Sequence, residues 1–207
     1  MIERLKEKYG INKPIFIKEI LDEMKEYSRA RVFQLLKKYE GEKQIIKFDT
    51  GVYYIPRITR FGLSNISVEQ VVKKKYISNN EEVYGIYGGL TLQLNYLLSY
   101  QVPVTLEVIT NNETMWNRDV MINGRKIIVK KSRTTINKEN VNAYTILELF
   151  SNINIDQYIE DKIVQREINN FIKEKEIKLT DILNLTTFFP SKSMNNLIKG
   201  GLIHAFA

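Results

Sequence analysis

The first 60 residues carry apolar side chains at helical spacing in three short blocks. These blocks predict helices over residues 1–9, 14–26 and 28–41. Gly10 and Gly41 are suited to end the first and the third helix, and Pro14 suits the first turn of the second. The buried stripe of the second helix is predicted to be Ile17, Ile20, Leu21 and Met24, and that of the third Val32, Leu35, Leu36 and Tyr39.

An alternating pattern follows the third helix. The segments QIIKF and VYYIP are rich in β-branched and aromatic residues, and the short connection between them contains Gly51, which predicts a β-hairpin. Pro56 closes its second strand. Three short helices followed by a hairpin is the order of a winged helix-turn-helix, with the hairpin as the wing. We therefore predict such a domain over residues 1–62.

The third helix has the chemistry of a DNA recognition helix on one side. At about 100° per residue, Arg31, Gln34 and Lys38 fall opposite the buried stripe, and Lys37 flanks them. Arg can pair bidentately with guanine, Gln with adenine, and Lys with phosphate. Ser28 is the predicted N-cap. Taken alone, the same pattern fits an ordinary amphipathic helix with a solvated basic face equally well.

The predicted position of the hairpin favours the DNA-binding interpretation. As a wing, it carries side chains that can reach flanking phosphates or the minor groove, and the N-terminal end of the recognition helix usually enters the major groove. The predicted DNA contacts are Ser28, Arg29, Arg31, Gln34, Lys37, Lys38, Lys47, Thr50 and Arg57.

Positive charge is concentrated in this part of the chain. The whole chain has 31 Lys and Arg against 24 Asp and Glu, a net charge of +7. Residues 1–60 hold 14 of the cations and 9 of the acids, so they carry most of the excess. A concentrated basic surface favours a polyanionic partner such as double-stranded DNA, because neutralised phosphates release condensed counterions.

The remaining residues, 63–207, predict an α/β domain with a small sheet. A helix is expected over residues 66–76, and Gly85, Gly88 and Gly89 are expected to form a loop that enters a helix over 90–99. A strand is predicted over 104–110, and Asn123-Gly124 predicts a type I′ hairpin. Further helices are predicted over 142–150, 156–175, 179–185 and 194–199.

No catalytic constellation is visible in this larger part, so we predict no enzyme, cofactor or metal site. The chain has no cysteine and a single histidine, His204, which leaves out the usual nucleophilic triads and Cys or His zinc sites. Residues 85–90, GIYGGL, lack the Lys-Ser/Thr ending of a phosphate loop. Glu107 and Asp119 each stand alone on a predicted strand, whereas two-metal chemistry needs paired carboxylates. Trp116 is expected to be a packing anchor.

The sequence also predicts a cytoplasmic protein that does not enter a membrane. The N-terminal residues MIERLKEKYG are charged throughout and lack the apolar core of a signal peptide. No apolar run approaches the roughly 20 residues that a transmembrane helix requires.

Two motifs in order resemble the AbiEi-type antitoxin and transcriptional-regulator family. The first is the wing, G-x-Y-Y-x-P, which here is Gly51, Tyr53, Tyr54 and Pro56. The second is a Thr-Gln-Val-Pro segment between a helix and a strand, which here is Tyr100, Gln101, Val102 and Pro103, with Tyr100 in place of Thr. The resemblance covers roughly residues 15–150 and leaves about the last 55 residues unmatched.

The resemblance implies an autorepressing antitoxin of a type IV toxin–antitoxin, or abortive infection, system. Such a protein represses its own operon through the winged helix and antagonises a nucleotidyltransferase toxin without forming a stable complex with it. The second domain would resemble a nucleotidyltransferase-like fold that lacks catalytic residues. A homodimer on the operator is a further expectation. The alternatives are a solitary regulator without a toxin, a protein-interaction module built on a winged helix, and an enzyme that acts on nucleotides.

Overall fold

The chain forms two compact units of mixed α and β structure. The computed structural model describes residues 1–96 and 103–206. Contacts group Met1–Lys75 and Ile122–Gly124 into unit 1, and Tyr76–Met121 and Arg125–Ala207 into unit 2. The division thus falls about a dozen residues after the boundary expected at residue 62. Within unit 1, Lys74 Nζ contacts the Glu19 carboxylate at 2.7 Å, which ties this later segment to the first helices.

Unit 1 consists of short helices and two small sheets. Its elements are α1 (Ile2–Tyr9), β1 (Ile15–Phe16), α2 (Ile17–Glu23), α3 (Arg29–Gly41), β2 (Ile46–Asp49), β3 (Val52–Tyr54), β4 (Ile58–Thr59), β5 (Gly62–Leu63) and α4 (Val68–Val72). A π-helical turn (Lys73–Ile77) follows α4, and its last two residues belong to unit 2. The first sheet has the strand order β1-β3-β2, and β4 pairs with β5.

The predicted helices are present, but the second is shorter than expected. Residues Ile15–Phe16, assigned to a helix from the sequence, form β1 and pair antiparallel with β3. Phe16 has an extended backbone and caps α2, and its N–H donates to the Glu19 carboxylate at 2.7 Å. The helix therefore starts at Ile17 rather than at Pro14. The core beneath these elements contains Leu5, Ile15, Ile20, Met24, Val32, Leu36, Ile45, Tyr53 and Ile55.

A second, smaller hairpin, which was not predicted from the sequence, follows the predicted one. β4 and β5 pair antiparallel, with Ile58 opposite Leu63 and Thr59 opposite Gly62. The Thr59 hydroxyl donates to the Gly62 carbonyl at 2.7 Å, which closes the turn. Two-residue strands are too short to show a period-two pattern, so this hairpin leaves little signal in the sequence.

Unit 2 contains one four-stranded sheet and a set of helices. Its elements are β6 (Gly85–Tyr87), α5 (Gly89–Asn95), β7 (Leu106–Thr110), β8 (Asn117–Ile122), β9 (Arg125–Lys131), α6 (Val141–Asn152), α7 (Ile155–Glu160), α8 (Lys162–Glu174), α9 (Leu179–Leu185) and α10 (Ser191–Lys199). The strand order is β6-β7-β9-β8; β6 and β7 are antiparallel, while β7 and β9 are parallel.

Two features of this sheet can be compared with the expectations. Asn123 and Gly124 have φ angles of 44° and 78°, as the predicted type I′ turn between β8 and β9 requires. Gly85 was expected in a loop, but it belongs to β6, where Tyr76 and Ile109 carbonyl oxygens lie 2.1 and 2.6 Å from the place where a Cβ would be. Glycine is needed there because no side chain fits.

The helices of unit 2 surround α6. Every residue of Ala143–Phe150 is buried, as expected for a helix that is covered on all sides. The helix predicted over residues 156–175 is two helices, α7 and α8, because Asp161 interrupts it with an extended backbone (φ −94°, ψ 96°). Its carboxylate accepts hydrogen bonds from the Ile163 and Val164 N–H groups at 3.0 and 3.1 Å.

No helix within residues 1–96 and 103–206 combines the length and apolarity needed to cross a lipid bilayer.

The cap at Asp161 provides a test of the helix break. Asp161→Ala should lower the free energy of unfolding by about 1 kcal/mol, because two N–H groups of the first turn of α8 lose their acceptor. Urea denaturation measures this difference. Asp161→Asn should retain most of the stability, and Glu160→Ala, which removes an exposed carboxylate one residue earlier, should change little. Equal stability of Asp161→Ala and the wild type would contradict the cap.

Candidate nucleic-acid interface

The orientation of α3 is fixed at its N-terminus and along its buried side. Ser28 has an extended backbone, and its hydroxyl accepts the Arg31 N–H at 3.3 Å. Val32 and Leu36 are fully buried, whereas Leu35 and Tyr39 are only partly covered. The stripe expected to be buried is therefore narrower than predicted. Its two central residues anchor the helix to the core of unit 1.

The opposite side of α3 is open to solvent. Its exposed residues are Arg29, Ala30, Arg31, Phe33, Gln34, Lys37, Lys38 and the acidic Glu40. The Arg31 guanidinium donates to the Gln34 side-chain oxygen at 3.3 Å, so these two side chains lie together one turn apart. The predicted contacts on α3 thus form one continuous surface, which we call the α3 face.

An acidic residue borders the α3 face at its C-terminal end. Lys38 Nζ lies 3.9 Å from the Glu42 carboxylate and 5.9 Å from the centre of the Tyr39 ring. Both charged side chains are largely exposed, so the ion pair contributes little stability. Lys38 therefore remains able to turn toward a phosphate.

The predicted wing is short and ends beside α2. Lys47 is exposed on β2 opposite Tyr53, and Thr50 is exposed at the turn. Gly51 has a φ of 71°, which favours glycine, and its carbonyl accepts the Ile17 N–H at 2.8 Å. Asp49 accepts the Thr50 N–H at 2.7 Å, which places a carboxylate next to the turn.

Arg57 lies away from the turn of the wing. It follows the far end of β3, where its N–H donates to Ser64 Oγ at 2.8 Å. It lines a groove of about 750 Å³ together with residues of α1 and residues 42–44 beyond α3. The structure thus brings Arg57 near the C-terminal end of α3 and not near Thr50.

Two exposed sites in unit 1 with aromatic side chains were not predicted from the sequence. Phe33 is 40% exposed on the α3 face, and the centre of its ring is 5.8 Å from the Arg29 guanidinium. Arg60 and Phe61 form the turn between β4 and β5, and Phe61 is fully exposed. The helical wheel places Phe33 outside the buried stripe, which indicates an exposed position. Phe33 was not predicted as a contact because only polar side chains were considered as base-reading residues.

Glu107, Glu113 and Glu148, which are buried or partly buried in unit 2, each have a hydrogen-bonding partner. Glu107 pairs with Lys130 at 2.7 Å across β7 and β9, and the largely buried Glu148 accepts from Arg133 at 3.4 Å. Burial acts to raise the pKa of Glu113, but hydrogen bonds from Met115, Thr114 and Arg118 outweigh it and lower the pKa. Across residues 1–96 and 103–206, His, Asp and Glu form no cluster of three that could hold a metal ion.

Trp116 does not anchor the core as expected. Its side chain is 69% exposed, and the Arg133 guanidinium lies 5.9 Å from its ring centre. The same guanidinium lies 5.4 Å from the Phe189 ring, so it bridges an exposed and a buried aromatic side chain. The polar surroundings of Trp116 in the sequence are consistent with this surface position.

No protein-family model matches the chain, and neither a curated protein nor a solved structure matches it. The assignment of function therefore depends on the residues and geometry of the α3 face. The second motif that resembles the AbiEi-type family falls mostly outside the described residues, which do not include Tyr100, Gln101 and Val102.

The cap of α3 gives a prediction for this surface. Ser28→Ala should lower the free energy of unfolding by about 1 kcal/mol, since the Arg31 N–H loses its acceptor. Thermal or urea denaturation measures the change. Ser28→Asp retains an acceptor and places a negative charge at the positive end of the helix dipole, so it should be at least as stable as the wild type. If Ser28→Ala is as stable as the wild type, the hydrogen bond between the Arg31 N–H and the Ser28 hydroxyl contributes nothing to stability.

Proposed function

We propose that this protein is a transcriptional repressor that binds double-stranded operator DNA through a winged helix-turn-helix in unit 1. The observation that carries the proposal is the α3 face, where exposed Arg31, Gln34, Lys37 and Lys38 lie opposite the buried residues Val32 and Leu36. A helix of this kind, anchored on one side and open on the other, can enter the major groove with its polar side toward the base edges.

The order of elements in unit 1 supports the winged-helix assignment. Three helices are interleaved with strands in the order α1-β1-α2-α3-β2-β3, and the sheet has the order β1-β3-β2. The segment 24–28 joins α2 directly to α3, and the Tyr27 N–H donates to the Met24 carbonyl at 2.9 Å. Two consecutive helices joined by a tight turn are the core of a helix-turn-helix.

Arg31 and Gln34 have the chemistry for direct readout. In the unbound protein the two side chains form one exposed hydrogen bond with each other. On binding DNA, this bond can be exchanged for bidentate pairs with guanine and adenine at modest cost, because an exposed hydrogen bond contributes little net free energy. Ser28, Arg29, Lys37 and Lys38 would hold the helix in register through the phosphates.

The wing contributes less than a long wing would. Its two-residue turn keeps Lys47 and Thr50 close to the sheet, and Asp49 next to them repels phosphate. Arg57, near the other end of α3, would contact a separate stretch of backbone. Most of the affinity is therefore assigned to α3.

The resemblance to AbiEi-type regulators extends the proposal to an antitoxin role. In this proposal unit 2 is a nucleotidyltransferase-like, non-catalytic effector domain that antagonises a toxin without a stable complex. The pairing of Glu107 with Lys130 supports a structural role for this carboxylate. Rescue of growth when the chain is co-expressed with a nucleotidyltransferase encoded beside it tests the antitoxin role; absence of such a neighbour would favour a solitary regulator.

A second candidate function is a protein-interaction module, because unit 1 exposes apolar side chains on the β4–β5 hairpin. Ile58 is 85% exposed and Phe61 is fully exposed. Such residues are common on protein surfaces singly, but a pair on one small hairpin can dock on a partner protein. Salt dependence separates this candidate from DNA binding.

Binding to duplex DNA should weaken steeply with salt. With about four to six phosphate contacts, the logarithm of the association constant should fall against the logarithm of salt concentration with a slope of about −4 to −5. Fluorescence anisotropy with a labelled duplex at several salt concentrations measures the slope. Binding that is insensitive to salt would contradict the proposal and favour the protein-interaction module.

Substitutions on the α3 face should separate base readout from phosphate contact. Arg31→Ala and Gln34→Ala should each reduce discrimination at one base pair by about 1–3 kcal/mol. Lys38→Ala should weaken all duplexes alike and make the salt slope less steep by about one, because one phosphate contact is lost.

Competition binding with a panel of single-base variants of a selected duplex distinguishes these outcomes. Lys162→Ala is the matched control, since it removes an exposed cation from α8 in unit 2 and should leave binding unchanged. If Arg31→Ala retains the specificity of the wild type, the assignment of the base-reading residues is wrong.

A further inference from the structure

Phe33 is a large apolar side chain on one flank of the polar α3 face. It is 40% exposed, and it is not part of the core cluster of unit 1. Its neighbours one turn away on the same side are Arg29, Ala30 and Lys37. A single exposed apolar residue is ordinary on a protein surface. Phe33 differs because it lies among the residues that, in the proposed function, meet DNA.

Its position on the helix is closer to the middle of the α3 face than that of Arg31. Ala30 lies near the middle of the exposed side, and three residues turn an α-helix by about 300°, so Phe33 lies about 60° from Ala30. Arg31, one residue on, lies about 100° from it on the other side. If α3 meets the bases with this side, Phe33 meets them as well.

The surroundings of Phe33 limit the motion of the ring without covering it. The Arg29 guanidinium lies 5.8 Å from the ring centre, within the range of a cation–π contact. The exposed Ala30 on the preceding turn has no side chain beyond Cβ that could shield the ring. A phenyl ring has only two side-chain torsions to fix, so ordering it against a ligand costs little.

We infer that Phe33 is a specificity-determining residue that contacts the 5-methyl group of a thymine in the major groove; this inference rests on the proposed function. The ring has no hydrogen-bond donor or acceptor, so it can distinguish bases only through apolar contact. The thymine methyl is the apolar group that the four bases present in the major groove. Arg29 and Lys37 flank Phe33 one turn away, and together they outweigh the exposed Glu40 carboxylate two turns further on, which favours a phosphate backbone beside the ring over an apolar protein surface.

The test compares duplexes that differ only in this methyl group. The full-length protein selects its preferred sequence from a randomised duplex library, and each thymine of that sequence is then replaced in turn by deoxyuracil. Burial of one methyl group corresponds to about a four-fold change in affinity. The wild type should therefore lose about four-fold at one or two thymines and nothing at the others.

Substitutions then assign the effect to Phe33. Phe33→Ala should bind the thymine and deoxyuracil duplexes equally, whereas Phe33→Leu, which keeps an apolar side chain, should retain part of the difference. Arg31→Ala should keep the full ratio although it binds more weakly. Phe61→Ala is the matched control, since it removes an exposed phenylalanine outside α3 and should also keep the ratio. Circular dichroism melting of each variant establishes that it is folded.

The outcomes separate this inference from the proposed function. A wild type that binds a selected duplex but does not distinguish thymine from deoxyuracil overturns the role of Phe33 and leaves the repressor proposal standing. An unchanged ratio in a folded Phe33→Ala variant does the same, and points to a protein partner for this ring. A wild type that binds no duplex in the library overturns both.

Discussion

The antiparallel pairing of β1 with β3 is the constraint on which the first unit depends. Ile15 pairs with Tyr53 and Phe16 with Val52, so residues 17–51 are closed into a loop by backbone hydrogen bonds. Both α2 and α3 lie inside this loop. The start of α2 is tied to the turn of the hairpin by the bond from the Ile17 N–H to the Gly51 carbonyl. The direction of α3 is thus limited by the closed loop that contains it and by burial of Val32 and Leu36 along its length.

The sequence predicts two kinds of element in this arrangement: helices long enough to show a repeating apolar pattern, and turns whose residue types are specific for them. The helix α3 is predicted because its 13 residues are enough to show a helical pattern, and the Asn123-Gly124 turn because these two residue types favour the positive φ angles of a type I′ turn. The strand β1 was missed because two residues show no periodicity and Pro14 before them also suits a helix start. The break at Asp161 was missed because an aspartate fits an exposed helix position as well as a cap; the difference lies in its backbone angles.

The sequence indicates which side of α3 each residue occupies, but not where the wing residues and Arg57 lie relative to that helix. Spacing along a helix is enough to place Arg31, Gln34 and Lys38 on one side, because the α-helix has a fixed period. Spacing says nothing about Arg57, whose distance from Thr50 depends on how β3 continues into the β4–β5 hairpin. Phe33 was not predicted for a chemical reason: base-reading residues were expected to be polar, although the thymine methyl is an apolar group in the major groove.

The electrostatics of the two units argue for different roles. On the α3 face the cations are exposed and weakly held, as in the 3.9 Å pair of Lys38 with Glu42, so a phosphate can displace the carboxylate at little cost. In unit 2, by contrast, two cations already have carboxylate partners: Lys130 is bonded to Glu107, and Arg133 to the buried Glu148. Breaking such partly buried pairs leaves a charge without its partner, which costs more than losing an exposed pair. A polyanion therefore meets available cations on the α3 face and already paired ones at Lys130 and Arg133, which supports placing the proposed DNA contact on α3.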